Sequence, residues 1–193
     1  MRKVNRFGAS DTNHGKVGRI MIRQQRNKTA MQSQHMIADA LVALLRRKPY
    51  AAITVSELCE EAAIGRKTFY RNFDTKEDVI DLILDGLLEC YSRRLKEVSS
   101  EERLFFHFAF IKEHVEFLTA LYHNGLIGLA NRKFSVLIAE TMPVWSDNPI
   151  EQEYRSRFVC AGIEAIEAVW MERDCQESIS RIVAICVDLL TYT

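Results

Sequence analysis

From Ser33 to the end of the chain, apolar residues recur three or four positions apart, and no alternation of apolar with polar residues lasts beyond four residues. That regularity constrains the fold more than anything else in the sequence. A half-buried strand needs period two, whereas a stripe at period 3.6 runs along one side of a helix. Only 3 Pro and 8 Gly interrupt 193 residues, and abundant Leu, Ala, Glu and Arg favour helices further. The chain is expected to be all-α. Its 48% hydrophobic and 27% charged residues exclude disordered and collagen-like classes. The longest apolar-rich stretch near the C-terminus, residues 182–190, contains Asp188 and is too short to span a bilayer. No charged segment leads into an apolar run, as a secretory signal would. A cytoplasmic protein without a membrane partner is expected.

Several helices can be placed from their stripes and ends. Met36, Ile37, Ala40, Leu41, Leu44 and Leu45 form the first stripe, Arg46, Arg47 and Lys48 load its last turn, and Pro49 stops it. Thr54 and Glu57 have the spacing of a capping box, with Ile53 and Leu58 as its hydrophobic staple. The helix so opened should reach about Ala62, break at Ala63-Ile64-Gly65, and give way to a short helix from Arg66 to Phe73. Asp74-Thr75-Lys76-Glu77 reads as a further cap, with Glu77 in the fourth position. The long helix it starts carries Val79, Ile80, Ile83, Leu84, Leu87, Leu88, Tyr91 and Leu95. Beyond it, one helix is expected from Arg103 to Tyr122, ended by Asn124-Gly125, then others over about 126–140, 150–173 and 176–192. Residues 143–149 read as a loop.

The zero net charge hides a segregation. Residues 1–76 hold 15 Lys+Arg against 6 Asp+Glu, and residues 77–193 hold 11 against 20. A basic segment gains affinity for a polyanion by releasing counterions from phosphates. Much of the excess lies in residues 1–34, so a solvated tail supplies part of it. The five cysteines, at 59, 90, 160, 175 and 186, are odd in number and form no CxxC. They read as reduced, packed thiols and not as a disulfide framework or zinc site.

Two short helices joined by a tight break, behind a first helix, have the helix-turn-helix arrangement. Leu58, Ala62 and Ile64 are apolar or small where the second helix must hold the third. Ala63 or Gly65 supplies the small turn residue. Phe69 and Phe73, four apart, anchor the third helix as core. Its other face carries Arg66, Lys67, Thr68, Tyr70, Arg71 and Asn72, donors suited to phosphates and base edges. The run from Ile53 through Glu60-Glu61-Ala62-Ala63-Ile64-Gly65-Arg66-Lys67-Thr68-Phe69-Tyr70-Arg71-Asn72-Phe73 to Lys76-Glu77 resembles the DNA-binding signature of the TetR (tetracycline repressor-type) transcriptional regulators. The resemblance covers roughly residues 33–85, and its Thr-Phe-Tyr…Phe…Lys-Glu core is specific.

Residues 1–30, with Gly8, Gly15 and Gly18 among scattered Arg and Lys and no sustained apolar period, read as a flexible basic arm, and the resemblance implies a DNA-binding domain over 31–76 and a helical effector-binding and dimerisation domain over 77–193. It implies a homodimer on a palindromic double-stranded operator, most often a repressor, released by a small-molecule effector. Carried over by position, Thr54, Thr68, Tyr70 and Lys76 would hold the DNA backbone. Arg66, Lys67, Arg71 and Asn72 would read bases. Such regulators usually begin within a few residues of the first helix. The extra arm here either enters the minor groove beside the recognition helix or makes no contact. An alternative keeps the fold as a co-regulator that acts through protein–protein contacts without reading an operator.

In the C-terminal half, Phe106, Phe110 and Phe117 either line an effector cavity or fill core, and His107 and His114 share their face. The histidine spacing suits a metal poorly, so no metal or cofactor is expected. Glu164 and Glu167, one turn apart, read as an ordinary pair on a solvated helix face. No nucleophile elbow, phosphate loop or dinucleotide fingerprint is present, so an enzyme is not expected. The surplus apolar residues of the last two helices suit a symmetric four-helix dimer contact.

Overall fold

The computed structural model describes residues 28–141, 144 and 146–191. Most of the basic arm therefore lies outside the described residues. Nine α-helices and no strand occur among the described residues. The N-terminal bundle comprises α1 (Lys28–Leu45), α2 (Val55–Glu61) and α3 (Arg66–Asn72), with a single 3₁₀ turn at Tyr50–Ala52 between α1 and α2. The long α4 (Lys76–Leu95) leads into α5 (Arg103–Glu113), α6 (Val115–His123), α7 (Ile127–Thr141), α8 (Pro149–Glu172) and α9 (Ile179–Thr191).

Helix α1 begins at Lys28, earlier than its apolar stripe suggested. It buries Ile37, Ala38, Leu41, Val42, Leu44 and Leu45 against α2, α3, α4 and α6. Met36 is exposed, contrary to its expected place in the stripe, because the buried side includes Ala38 and Val42. Arg46, Arg47 and Lys48 follow the helix instead of closing it. Their charges go to ion pairs with Glu116, Glu61 and Glu57. The pair with Glu116 and a 2.6 Å bond from the Tyr50 amide to Asn124 Oδ1 tie the N-terminal bundle to α6.

The capping box of Thr54 and Glu57 is formed, with Ile53 and Leu58 both buried behind it. At the head of α4 the box is Thr75 with Asp78, not Glu77. Capping is counted from the true N-cap, and Thr75 puts Asp78 at the third helical position. In the turn before α3, Ala63 takes the left-handed conformation at φ 51°, while Gly65 is extended at φ −81°. The expected helix from Arg103 to Tyr122 is two helices. His114, at φ −111° and ψ 21°, ends α5 and starts α6. No Gly or Pro marks that break in the sequence. Gly125 ends α6 as expected, at φ +70°, the left-handed cap that glycine accepts without a Cβ penalty.

The C-terminal bundle packs α5 on α9, α7 on α4 and α8, and α8 on α6 and α9. Trp170, Phe108, Phe110 and Phe117 are its largest fully buried side chains. All five cysteines are free, and Cys59, Cys175 and Cys186 are buried. Among the described residues no helix is long and apolar enough to cross a membrane.

Candidate nucleic-acid interface

Helix α3 is short, and two rings hold it. Phe69 is fully buried and Phe73 nearly so, their ring centres 5.7 Å apart. With that side fixed, Arg66, Lys67, Tyr70 and Arg71 all stand exposed, while Thr68 and Asn72 are half-buried. The seven residues of α3 carry three cations and no acid. Tyr70 is 57% exposed, its ring braced edge-on against Phe69 at 5.3 Å.

The remaining expected contacts are partly engaged within the protein. Arg66 donates to Ser56 Oγ on α2. Asn72 Nδ2 turns back to the Thr68 carbonyl at 2.7 Å. Thr54 Oγ1 accepts from the Glu57 amide at 3.2 Å and donates to Glu57 Oε2 at 2.9 Å. Lys48 bonds the other oxygen of Glu57 at 2.5 Å. This bond and the cap hold the Glu57 carboxyl down to about 2. Lys76 Nζ donates to the carbonyls of Tyr50 and Ile53 at 2.8 and 2.9 Å, and lies 4.0 Å from the centre of the Tyr50 ring. The ammonium thus pins the first turn of α4 to the segment that leads into α2.

A second feature lies in the C-terminal bundle. A cavity of about 40 Å³ sits between α4, α5, α6, α7 and α8. His107 and Phe110 line it, whereas Phe106, His114 and Phe117 do not. Phe106 packs on Tyr91 at 5.1 Å and under the Arg94 guanidinium, and Phe117 fills core. His114 lies 4.5 Å from the Phe110 ring, and neither of its ring nitrogens has a hydrogen-bond partner among the described residues. Burial holds its pKa below the usual histidine range.

Polar groups converge at the cavity. His107 bonds Glu167 Oε1 at 2.5 Å through Nε2 and Tyr91 Oη at 3.1 Å through Nδ1. Burial, then the Glu167 charge, raises the Glu164 carboxyl, and a hydrogen bond from Asn131 partly offsets this. The expected solvated pair is therefore corrected, because Glu164 and Glu167 both line the cavity. Packing of α7 over α8 encloses them, and intrahelical spacing cannot reveal that. A signal did exist. These are the only charged residues from 158 to 171, a stretch otherwise apolar or small. Among the described residues no three His, Cys, Asp or Glu side chains gather as a metal-holding group.

The model of the bacterial regulatory proteins of the TetR family matches residues 37–83. Among solved structures, the chain is similar to a TetR transcriptional regulator from Streptococcus agalactiae 2603V. That likeness has a TM-score of 0.64 and 18% identity over 84% of this chain and 95% of that one. It is also similar to the dihydroxyacetone kinase operon activator DhaS, with a TM-score of 0.53 and 20% identity over 83% of this chain and 94% of that one. At these identities the likeness concerns the fold. No curated protein matches the sequence significantly.

Proposed function

We propose that this chain, whose residues 37–83 match the bacterial regulatory proteins of the TetR family, binds a palindromic operator as a homodimer, represses transcription there, and is released by a small-molecule effector held in the C-terminal bundle. The observation that carries this reading is the outer face of α3. Arg66, Lys67, Tyr70 and Arg71 stand exposed on a helix whose inner side is locked by two phenylalanines. In this reading Lys67 and Arg71, with Arg66, meet base edges and phosphates, and Tyr70 and Thr68 hold the backbone. Thr54 and Lys76 act first as positioning residues, since one closes the cap of α2 and the other pins α4 beneath it. Asn72 reads a base only after releasing the Thr68 carbonyl.

A dimer is supported by an apolar stripe. Ile150, Tyr154, Phe158 and Val169 of α8 are exposed, as are Val187 and Leu189 of α9. Pairing two copies through these helices would set two recognition helices at half-sites about 34–36 Å apart, or a multiple of that. Helix α4 supports the coupling. Lys76 at its start is fixed to the helix-turn-helix, and Tyr91 lines the cavity about 22 Å further along, at about 1.5 Å per residue. A ligand that favours one tilt of this rod shifts the spacing of the two heads.

The test is duplex binding across a salt series. The wild-type protein should lose affinity steeply with salt. In Lys67→Ala/Arg71→Ala the log–log slope should be shallower by about 2 per protomer. An unchanged slope would remove α3 from the interface. Loss of the gene should raise transcription from the bound promoter, and a fall would make the protein an activator.

A further inference from the structure

The charge inside the cavity selects a class of ligand. No Lys or Arg lies among the residues that line it, yet two carboxylates do. Glu167 is bonded to His107, which is bonded in turn to Tyr91. Glu164 has an amide partner in Asn131 but no ion pair among the described residues. A half-buried carboxylate without a counter-charge is less well solvated than a surface one, and a cation beside it relieves that cost. Aromatic rings also line the cavity. The Tyr91 ring lies 5.1 Å from Phe110 and 5.4 Å from Phe134, each edge to face. Such rings attract cations through their quadrupoles and accept apolar groups equally well. An anion would meet two carboxylates there, and a neutral apolar molecule would leave Glu164 without a counter-charge.

We propose that this cavity takes a small organic ammonium ion, its charged head against Glu164 and its apolar or aromatic body against Tyr91, Phe110 and Phe134. The proposal rests on the effector reading above and gives that site its ligand class. The cavity, about 40 Å³, holds a few waters or one ammonium head. The body of the ligand must therefore part α7 from α8, which displaces the helices packed against α4 and gives the cation a preferred state.

The experiment compares three probes with the same ring and chain length: phenethylammonium, 2-phenylethanol and phenylacetate. Thermal unfolding midpoints of the full chain are measured with each. Phenethylammonium, about 100-fold above its dissociation constant, should raise the midpoint by about 5–10 °C, and the other two should leave it unchanged. Glu164→Gln, nearly isosteric, should weaken that binding at least tenfold while the ligand-free protein stays folded. Glu167→Gln should weaken it less, because its carboxylate already serves His107. A shift with phenylacetate or 2-phenylethanol equal to or larger than that with the amine would overturn the assignment. So would no shift with any of the three, or an undiminished shift in Glu164→Gln. Stabilisation by the amine without any change in DNA affinity would keep the ligand class and overturn the effector role instead.

Discussion

Ala63 is an exposed residue held at φ 51° in the turn between α2 and α3. An L-residue there meets its own carbonyl through Cβ, which a glycine avoids. Ala63→Gly should therefore stabilise the protein, by about 0.5–1 kcal/mol once the extra chain entropy of glycine is deducted. Urea unfolding would measure it, and a loss of stability would show that the turn relaxes around alanine. His114 sets a pH dependence. Burial lowers its folded pKa below the unfolded value, so between those two values the unfolded chain binds more protons. Stability should fall as pH drops below about 6.5, the ordinary histidine value, and His114→Leu should flatten that slope. An identical slope in the variant would place the titration elsewhere. At this scale the sequence was legible where chemistry is local. Thr54 and Glu57 declare their cap by spacing alone. Glu164 and Glu167 were not legible from their spacing, because their place at the cavity depends on α7; only their isolation in an apolar stretch hinted at it.

Among the elements, α4 links the proposed interface to the cavity, and Lys76 anchors its first turn. Lys76→Met removes two hydrogen bonds from an ammonium to carbonyls, each worth about 1.5–3 kcal/mol when the donor is charged. The variant should therefore melt earlier and bind DNA more weakly at once. Lys67→Ala, on the exposed face of α3, should weaken DNA binding with no change in melting. If Lys76→Met instead matched Lys67→Ala in both measurements, the lysine would be a surface contact only. Helix positions were mostly readable from apolar period and from Asn124-Gly125 or Asn148-Pro149. The break at His114 was not, since neither Gly nor Pro announces it and apolar residues continue on both sides of it at Ile111, Val115 and Leu118. Tertiary packing of α5 and α6 on different neighbours decides that bend.

Across the whole molecule, an acidic C-terminal half carries an exposed apolar stripe on α8 and α9, and a basic N-terminal half carries α3. Phe158 is 60% exposed, which suits a residue awaiting a second copy. Phe158→Arg should convert a dimer to a monomer in sedimentation while leaving each subunit folded, and operator affinity should fall with it. A wild-type chain that sediments as a monomer at working concentration would remove the dimer from the proposal. The fold class and the polar face of α3 were legible in the sequence, since both follow from period and residue type. The proposed partner surface was legible only as a surplus of apolar residues. The most direct measurement is selection from random genomic DNA fragments by the purified protein at two salt concentrations. Enrichment of one palindrome with steep salt dependence is the predicted result. Weak, sequence-blind retention that vanishes at moderate salt would contradict operator reading by α3.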